Sequence, residues 1–312
     1  MAKKDMVKLD TLKSEDFAGL KKKGYLVQRD PKYFTLRTRL PGGEATPEQL
    51  IELARITKKY SKAKEVNAPN AYVKVKLTTV QDFQIPYIEW KDKEAITKEL
   101  VKINMPPGSC SKTFRNVTAC PAIPECIYGN ENTQALAKKI DKKYFGRFTR
   151  HKFKVSVAGC PNSCVFPQIR DFGAMAVIRP EILKNCTGCE VCVKACPVEC
   201  ITINEDKLAV VDYSRCTDCG VCLRCCPFDA IGERAKGYNL FVGGNIGKFP
   251  RFANKIAEFV DEEGVFKALD NTLEFFDNYP KAVRIGKAID EIGVEEFKKH
   301  ALKGVKLKKA DK

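Results

Sequence analysis

The sequence predicts an α+β protein in which a cysteine-rich block interrupts a larger α/β unit. Residues 25–105 show strand and helix patterns in the order β-β-α-β-α, which is typical of helices packed against one side of a mostly antiparallel sheet. Residues 181–232 carry ten of the fifteen cysteines, and strand patterns flank that block at 172–179 and 240–242. The block is therefore predicted to be an insertion rather than a terminal domain.

The elements of the first region follow from local signals. Residues 25–28 and 33–40 have the composition of strands, and the second run ends in a Pro-Gly-Gly turn. Thr46 is the predicted N-cap of a helix, because Pro47 suits the first helical position and Gln49 completes a capping box. A further strand and a further helix are predicted at 71–78 and 93–103.

The second region comprises residues 106–180 and 233–312. Its predicted elements are a helix at 133–143, strands at 152–157, 172–179 and 240–242, and a mainly helical stretch from 250 to a frayed tail at 305–312. Residues 1–24 are polar and rich in lysine, so we expect an N-terminal arm that is either loose or a short helix. The chain is thus predicted to consist of an arm, two regions and one insertion.

Composition limits the possible functions. The chain has 312 residues, a formal charge of +16, fifteen cysteines and two histidines, His151 and His300. So few imidazoles exclude a histidine-rich zinc centre, a bis-histidine haem and a copper site with several histidines. Without an apolar signal segment or membrane span, we expect a soluble, cytoplasmic protein whose clustered cysteines bind metal rather than form disulfides. The basic residues are dispersed, so neither a nucleic acid nor a membrane is expected as a partner.

Two cysteine runs in the block share the pattern C-x2-C-x2-C-x3-C-P. In such runs three thiolates surround one [4Fe-4S] cluster and the fourth cysteine reaches the other cluster. The alternative, a pair of zinc sites, does not require this doubled pattern. The block resembles bacterial two-cluster ferredoxins, whose clusters carry electrons. The predicted ligand sets are Cys186, Cys189, Cys192 and Cys226 for one cluster, and Cys216, Cys219, Cys222 and Cys196 for the other.

Five more cysteines lie outside the block, and four of them form two pairs, Cys120-x5-Cys126 and Cys160-x3-Cys164. The fifth, Cys110, has no assigned role, and neither have Cys200 and Cys225 within the block. The second pair follows a predicted strand and would lie on one tight turn. Four thiolates suffice for a third [4Fe-4S] cluster, and a four-thiolate zinc site is the structural alternative. Spacing alone leaves both possibilities open.

Three segments resemble the sirohaem-dependent sulfite and nitrite reductases. They are residues 151–164, which end in Gly-Cys-Pro-Asn-Ser-Cys, residues 115–120 and residues 34–43. The resemblance covers roughly residues 25–310, and the arrangement looks like the sirohaem subunit of three-subunit anaerobic sulfite reductases. It implies a ferredoxin-like half-domain at 25–105 and a sirohaem and [4Fe-4S] domain at 106–180 and 233–312. It also implies that Cys164 bridges the third cluster and the sirohaem iron.

Basic residues alternate in two of these segments, Arg37 with Arg39 and Lys152 with Lys154. Residues i and i+2 of a strand share a face, so each pair presents two positive charges, either to solvent or to an anion. Reduction of sulfite to sulfide consumes six electrons and six protons, and fixed cations can hold the anion and relay protons. The resemblance implies that Arg115, Lys152 and Lys154 bind sulfite. It also implies that Arg37 and Arg39 bind either sulfite or the sirohaem carboxylates, without assigning each arginine to one of them.

Further cofactor contacts are implied by the same resemblance. Asn116 and His151 lie within its motifs, where His151 supports the cofactor or the strand rather than acting as an acid. A glycine-rich turn at 243–251 lacks the G-x-G-x-x-G spacing of a dinucleotide loop and is either a simple turn or a cradle for cofactor carboxylates. The predicted contacts in this turn are Gly243, Gly244, Gly247 and Arg251.

The cofactors also account for the charge. Sirohaem bears about eight carboxylates and each cluster with four thiolates carries about −2, which leaves roughly +2 on a chain with one sirohaem and three clusters. The predicted function is sulfite reduction to sulfide, with nitrite reduction as a variant. A non-catalytic sirohaem and iron–sulfur electron carrier is the alternative from another class.

The expected partners follow from what the chain lacks. It has no flavin or nicotinamide fingerprint, so electrons should come from a flavin or iron–sulfur protein or subunit. Two-repeat relatives fold two half-domains around a pseudo-two-fold axis, whereas this chain has one. We therefore expect a homodimeric core, alone or within a larger complex, in which basic residues of one chain face the sirohaem bound by Cys164 of the other.

Overall fold

The computed structural model describes residues 19–307, and the chain divides into two compact units. One unit comprises residues 1–118 and 138–154, and the other comprises 119–137 and 155–312. Residues 1–18 of the predicted arm and 308–312 of the predicted tail lie outside the described residues. None of the helices within 19–307 is long and apolar enough to cross a membrane.

The first unit contains a four-stranded antiparallel sheet in the order β1-β2-β4-β3. Two helices follow β2 and β4 in the chain, and the apolar residues between sheet and helices form one core, which includes Phe34, Leu53 and Ile85. This arrangement is the predicted α+β sandwich. The elements are β1 (Tyr25–Val27), β2 (Tyr33–Arg37), α1 (Pro47–Tyr60), β3 (Lys76–Leu77), β4 (Phe83–Glu89) and α2 (Lys93–Lys102).

The predicted start of α1 is confirmed. The Thr46 hydroxyl accepts a hydrogen bond from the Gln49 N–H at 3.2 Å, and the Gln49 side-chain oxygen accepts one from the Thr46 N–H at 2.9 Å. Pro47 occupies the first turn, where its missing N–H costs nothing. The local signals therefore determined this helix boundary.

The strand predicted at 71–78 was largely wrong, and β4 was missed. Only Lys76–Leu77 pairs in a sheet, whereas β4 lies between β2 and β3. The sequence of β4 contains Pro86, which usually argues against a central strand. Here the β2–β4 register is irregular between Phe34 and Leu36, and Tyr87 adopts a φ of 62°. The proline thus lies at a bulge, where no ladder hydrogen bond needs its N–H.

The second unit is built on a five-stranded mixed sheet in the order β11-β10-β7-β6-β5. β6 and β7 run parallel, and β7, β10 and β11 are antiparallel neighbours. The strands are β5 (Thr118–Ala119), β6 (Val155–Ala158), β7 (Phe172–Ile182), β10 (Ile231–Val242) and β11 (Asn254–Val260). The main helices are α3 (Thr133–Tyr144), whose residues fall in both units, α6 (Glu262–Asn278), α7 (Ile285–Ile292) and α8 (Val294–Ala301).

The cysteine-rich block extends from the end of the β7–β10 hairpin, where Ile182 pairs with Ile231. Its own two-stranded sheet and short helices share a core with the cysteines themselves. Adjacent antiparallel strands bring the two ends of the block together, which explains how it interrupts the sheet without disrupting it. Its elements are α4 (Val191–Ala195), β8 (Ile201–Ile203), β9 (Ala209–Val211) and α5 (Val221–Cys225).

The predicted mainly helical stretch after residue 250 is confirmed by α6, α7 and α8, but the prediction was wrong at its start, where β11 precedes the helices. Ile256, Phe259 and Val260 are all buried and follow the i, i+3, i+4 spacing of a helix. Their spacing comes from irregular pairing of β11 with β10 and from a positive φ of 52° at Phe259. A bulge thus produced a helical pattern in a strand.

The strand predicted at 152–157 begins later, at Val155. Lys152 and Lys154 precede β6, and Phe153 between them forms an isolated bridge to Phe114. Similarly, β2 ends at Arg37, so Arg39 lies beyond the regular strand. Neither basic pair therefore lies within one regular strand, so strand alternation does not place Arg37 with Arg39, or Lys152 with Lys154, on one face.

Candidate functional site

A cavity of about 120 Å³ in the first unit brings cations and one carboxyl group together. Its walls come from the end of β2, the turn before β4 and the loops that hold Arg115 and Lys154. These segments are far apart in sequence, so only the folded unit forms the cavity. The lining residues are Arg37, Thr78, Thr79, Val80, Asp82, Ser109, Arg115, Asn116 and Lys154.

Arg37 is fixed on two sides in this cavity. Its Nε lies 3.3 Å from the Asp82 carboxylate, and its Nη1 donates a hydrogen bond to the Cys110 Sγ at 3.0 Å. Cys110, whose role the sequence left unassigned, is therefore a buried contact of a cavity cation. Both contacts hold the guanidinium at the cavity wall.

Asp82 is the most deeply buried ionisable group of the cavity, with 1% of the residue exposed. The Thr78 hydroxyl donates a hydrogen bond to its Oδ1 at 2.5 Å. Burial raises the pKa of the Asp82 carboxyl to about 6, although the charges of Arg37 and Arg115 and the bond from Thr78 act to lower it. Desolvation therefore outweighs the nearby cations. Sequence analysis missed Asp82, since a single aspartate in a turn carries no distinguishing pattern.

Asn116 lines the cavity, but its amide group is engaged with the backbone. The side-chain oxygen accepts from the Leu40 N–H at 3.1 Å, and the amide nitrogen donates to the carbonyls of Leu40 and Val80, each at 2.9 Å. Arg115 donates to the Ser111 carbonyl at 3.1 Å. Asn116 thus holds two cavity segments together.

Three of the predicted site residues in the first unit do not line the cavity. The Arg39 guanidinium pairs with the Asp141 carboxylate at 2.5 Å and stacks 4.1 Å from the centre of the Phe145 ring. The His151 Nδ1 accepts from the Lys152 N–H at 2.9 Å, so His151 supports the local backbone. Of the five predicted basic residues, the structure brings Arg37, Arg115 and Lys154 together, and it places Arg39 and Lys152 elsewhere in the first unit.

The four paired cysteines outside the block, Cys120, Cys126, Cys160 and Cys164, lie near one another in the second unit. Burial raises the pKa of both Cys120 and Cys160, and each is raised further by the charges of Cys126 and Cys164. The Gly159 N–H donates to the Cys120 Sγ at 3.0 Å. Thiols affect one another's pKa in this way only when they lie close together. The fold therefore brings together two cysteine pairs that are separated in the sequence by the stretch from Cys126 to Cys160.

Cysteines of the block line two cavities of similar size. Each cavity receives three cysteines from one run and the fourth from the other run, which is the grouping the spacing predicts. Burial raises the pKa of Cys192 in the first cavity. In the second cavity, burial raises the pKa of Cys222 to about 12. The first cavity contains Cys186, Cys189, Cys192 and Cys226, and the second contains Cys196, Cys216, Cys219 and Cys222, with Cys200.

The two remaining cysteines of the block contact these sets. The Cys200 Sγ lies 3.5 Å from the Cys196 Sγ, and the Cys225 thiol donates to the Cys222 carbonyl at 3.4 Å. Burial raises the pKa of both thiols. Both residues pack in or beside the core of the block.

The second of these sets is a neighbour of the four paired cysteines outside the block. Cys160 and Cys219 line a common cavity of about 270 Å³. Asn130 links the two segments, because its N–H donates to the Gly159 carbonyl at 2.8 Å and its side chain donates to the Cys219 carbonyl at 3.4 Å. Arg224 in turn donates to the Asn130 Oδ1 at 2.8 Å.

The glycine-rich turn is tightly organised around Arg251. Its guanidinium donates to the Asp290 carboxylate at 2.6 Å and to the Gly243 carbonyl at 3.0 Å. A Cβ at Gly244 would lie 2.5 Å from the Gln168 carbonyl oxygen, so only glycine permits this approach, whereas Gly247 has open space around it. Arg251 therefore braces the turn.

Arg170 is a buried cation beside this turn that sequence analysis did not identify. It is 7% exposed, and its Nε has no hydrogen-bond acceptor within residues 19–307. Burial lowers the pKa of its guanidinium. A Cβ at Gly244 would lie 2.8 Å from the Arg170 backbone, so the turn and Arg170 form one corner of the second unit. A buried donor of this kind fits an anionic ligand, such as the carboxylates of sirohaem.

Comparisons with known proteins identify the family. Residues 110–309 match the nitrite and sulphite reductase 4Fe-4S domain, and residues 26–66 match the nitrite/sulfite reductase ferredoxin-like half domain. The chain is 30% identical over 286 residues to the coenzyme F420-dependent sulfite reductase of Methanocaldococcus jannaschii, and the match spans 90% of this chain but 43% of that relative. It is 27% identical to one subunit of the anaerobic sulfite reductase of Salmonella typhimurium, with 87% of this chain and 84% of the relative covered.

A solved structure supports the same fold. Dissimilatory sulfite reductase I superposes with a TM-score of 0.71 at 18% identity, over 89% of this chain and 70% of that chain. The predicted α+β class and the resemblance stated from the motifs are both confirmed. The chain belongs to the nitrite and sulfite reductase family of oxidoreductases.

Proposed function

We propose that this protein is the sirohaem-bearing catalytic chain of a sulfite reductase, which reduces sulfite to sulfide. The cavity lined by Arg37, Arg115 and Lys154 carries this proposal. An electron carrier needs groups that hold its cofactors, but it has no need for three cations around a small cavity. A reductase needs such a cavity, because its substrate is a small oxyanion whose oxygens must be held and protonated.

Twelve cysteines are proposed to hold three [4Fe-4S] clusters. The two sets in the block would each hold one cluster, and Cys120, Cys126, Cys160 and Cys164 would hold the third, with Cys164 also binding the sirohaem iron. When bound, these groups supply the electrons and the metal centre at which sulfite is reduced. Arg170 and the turn at Gly243 and Gly244 are proposed to bind sirohaem carboxylates, since they offer a buried cation and close backbone approach.

The chain's own residues have separate tasks in this proposal. Arg37, Arg115 and Lys154 hold the anion and neutralise its charge, while Asn116 and Cys110 keep the cavity walls in place. Lys152 and Arg39 lie outside the cavity lining, so we propose that they act on the cofactor side. Cys160 and Cys219 line one cavity, so the cluster that Cys196, Cys216, Cys219 and Cys222 would hold is the one proposed to supply electrons to the cluster that Cys120, Cys126, Cys160 and Cys164 would hold.

Assembly and the electron source also remain proposals. We expect a homodimeric core, whose partner chain completes the site, and a flavin or iron–sulfur protein as the electron donor. Mixing a chain that carries Arg115→Ala and Lys154→Ala with a chain that carries Cys164→Ser tests the first point. Mixed dimers that form and regain activity support a shared site, whereas inactive mixed dimers would assign the complete site to one chain.

The decisive test combines a spectrum with turnover. Anaerobically purified protein should show sirohaem absorbance that changes on addition of sulfite, and it should release sulfide when an artificial reductant is supplied. Lys154→Ala should lower sulfite turnover by about two orders of magnitude, as expected when a donor to developing charge is removed. Lys91→Ala is the matched control, because Lys91 is exposed and pairs with Glu89 away from the cavity.

The same measurements separate the alternatives. If Lys154→Ala and Arg115→Ala retain full sulfite turnover, the anion is bound elsewhere. If the protein binds sirohaem but reduces neither sulfite nor nitrite, it is an electron carrier. Faster turnover of nitrite than of sulfite would make nitrite the substrate.

A further inference from the structure

Asp82 is a carboxyl group in a cavity that is otherwise built for an anion. Of the lining residues in the described chain, it alone carries a carboxylate, and it is 1% exposed. Cys110 also contacts the Arg37 guanidinium, but it is not one of the cavity-lining residues. Asp82 instead shares the cavity wall with the three cations.

Within the described residues, Asp82 is surrounded by three cations and one hydroxyl group. Arg37 lies 3.3 Å from its Oδ2 and the Thr78 hydroxyl donates to its Oδ1. Arg115 contributes a further positive charge, and Lys154 lines the same cavity. Without a bound anion, these cations stabilise an ionised carboxylate, whereas burial opposes it.

A bound oxyanion changes this balance. Two anions in a cavity of about 120 Å³ repel each other strongly, because a like charge nearby disfavours ionisation of a carboxyl group. The carboxyl of Asp82 already takes up a proton more readily than an exposed aspartate does, with a pKa of about 6. Binding of a dianion raises that pKa further.

We infer that the cavity takes up an oxyanion together with one proton, which Asp82 holds beside the anion and donates to it. This inference rests on the proposed function and adds a proton-donating residue to it. In the transfer, the O–H bond of Asp82 breaks as a new O–H bond forms on an oxygen of the anion. Asp82 is left as a carboxylate beside Arg37, and a proton from solvent restores it before the next transfer.

Sulfate is a suitable probe, since it remains a dianion between about pH 5 and pH 8 and titrates far below that range. Calorimetry of sulfate binding to the anaerobically purified holoprotein, in two buffers with different ionisation enthalpies, counts the protons taken up. We expect most of one proton per sulfate at pH 7. The affinity should fall by up to about tenfold per pH unit above pH 6, where the free carboxyl is ionised.

The asparagine side chain in Asp82→Asn is uncharged at every pH, so this variant should lose both the proton uptake and the pH dependence of sulfate binding. It should bind sulfate without proton uptake and, near pH 7, about tenfold more tightly than the unmodified protein, which must first protonate Asp82. Asp141→Asn is the matched control, because Asp141 is equally buried and pairs with Arg39 but does not line the cavity. It should keep normal proton uptake.

The outcomes are distinguishable. Sulfate binding without proton uptake in the unmodified protein would overturn the inference but leave the anion site intact, and this measurement does not depend on any variant folding. Proton uptake that persists in Asp82→Asn would assign the proton to another group and also overturn it. Absence of sulfate binding to every form, together with absence of sulfite turnover, would instead overturn the proposed function.

Discussion

Replacement of Arg170 by Met should stabilise the cofactor-free chain but weaken its binding of sirohaem. Arg170 is 7% exposed and its Nε has no acceptor within the described residues. Asp171, its neighbour in sequence, is already paired with Arg284 at 2.7 Å. In the chain without cofactor, Arg170 is therefore a buried cation with little compensation.

The magnitudes follow from that environment. An unsatisfied buried donor costs about 1–3 kcal/mol, so Arg170→Met should raise the free energy of unfolding of the cofactor-free chain by about that amount. A charge-assisted hydrogen bond to a cofactor carboxylate contributes about 1.5–3 kcal/mol. Its loss should weaken sirohaem binding by about one to two orders of magnitude.

Arg179 offers a matched control. It is 8% exposed, but its guanidinium makes two hydrogen bonds to the Asp218 carboxylate, at 3.0 and 3.1 Å. Arg179→Met leaves Asp218 buried and unpaired, so it should lower the free energy of unfolding by about 3–5 kcal/mol. The same substitution at similar burial thus has opposite signs at the two positions.

The assay has two readouts. Urea unfolding of the cofactor-free chain gives the free energy of unfolding, and extraction of sirohaem from anaerobically purified protein gives its content per chain. The reasoning about Arg170 is refuted if Arg170→Met destabilises the cofactor-free chain and leaves the sirohaem content unchanged. In that case Arg170 would act only within the protein.

Four further predictions concern the clusters and the cavity. Iron analysis should give about thirteen atoms per chain, from three clusters and one sirohaem, and a value near eight would exclude both the third cluster and the sirohaem. Cys164→Ser should lower both the iron content and the sirohaem absorbance, whereas loss of only one would contradict a bridging role. Gly159→Val should reduce iron to about eight atoms, because a Cβ there would lie 2.3 Å from the Ala122 Cβ, beside Cys120; full iron content would refute this steric argument. Because its pKa is raised in the folded state, ionised Asp82 destabilises that state above pH 6, and the effect is absent below about pH 4. Asp82→Asn should therefore increase the free energy of unfolding by about 3 kcal/mol at pH 7 and by little at pH 4. An equal difference at both pH values in urea unfolding would show that ionisation of Asp82 is not the cause.

The cysteine groups of the block could be predicted from the sequence because each run is local. Three cysteines separated by two residues must lie on one short loop, and the fourth follows at a fixed distance. The structure places them around two cavities in the predicted combination. The start of α1 was equally predictable, since Thr46 and Gln49 satisfy each other's backbone within one turn.

Irregular backbone limited the prediction of the sheets. The sequence of β4 contains Pro86, which is atypical of a central strand. In β11, the buried residues Ile256, Phe259 and Val260 have the spacing of a helix. In both strands the observed pairing contains register shifts, which alter the alternation of buried residues. Periodicity describes regular strands only, so these two errors have one physical cause.

The sequence by itself determined the family, the cluster ligands expected in the block and the presence of an unusual set of basic residues. Only the tertiary structure decided which basic residues share a cavity. Alternation along a strand paired Arg37 with Arg39, yet the fold places Arg37 beside Asp82 and Arg39 beside Asp141. Likewise, burial makes Asp82 and Arg170 distinctive, and burial arises when distant segments exclude water from a side chain. A local sequence pattern cannot show that water is excluded from a particular aspartate or arginine, because these residue types lie on the surface in most proteins.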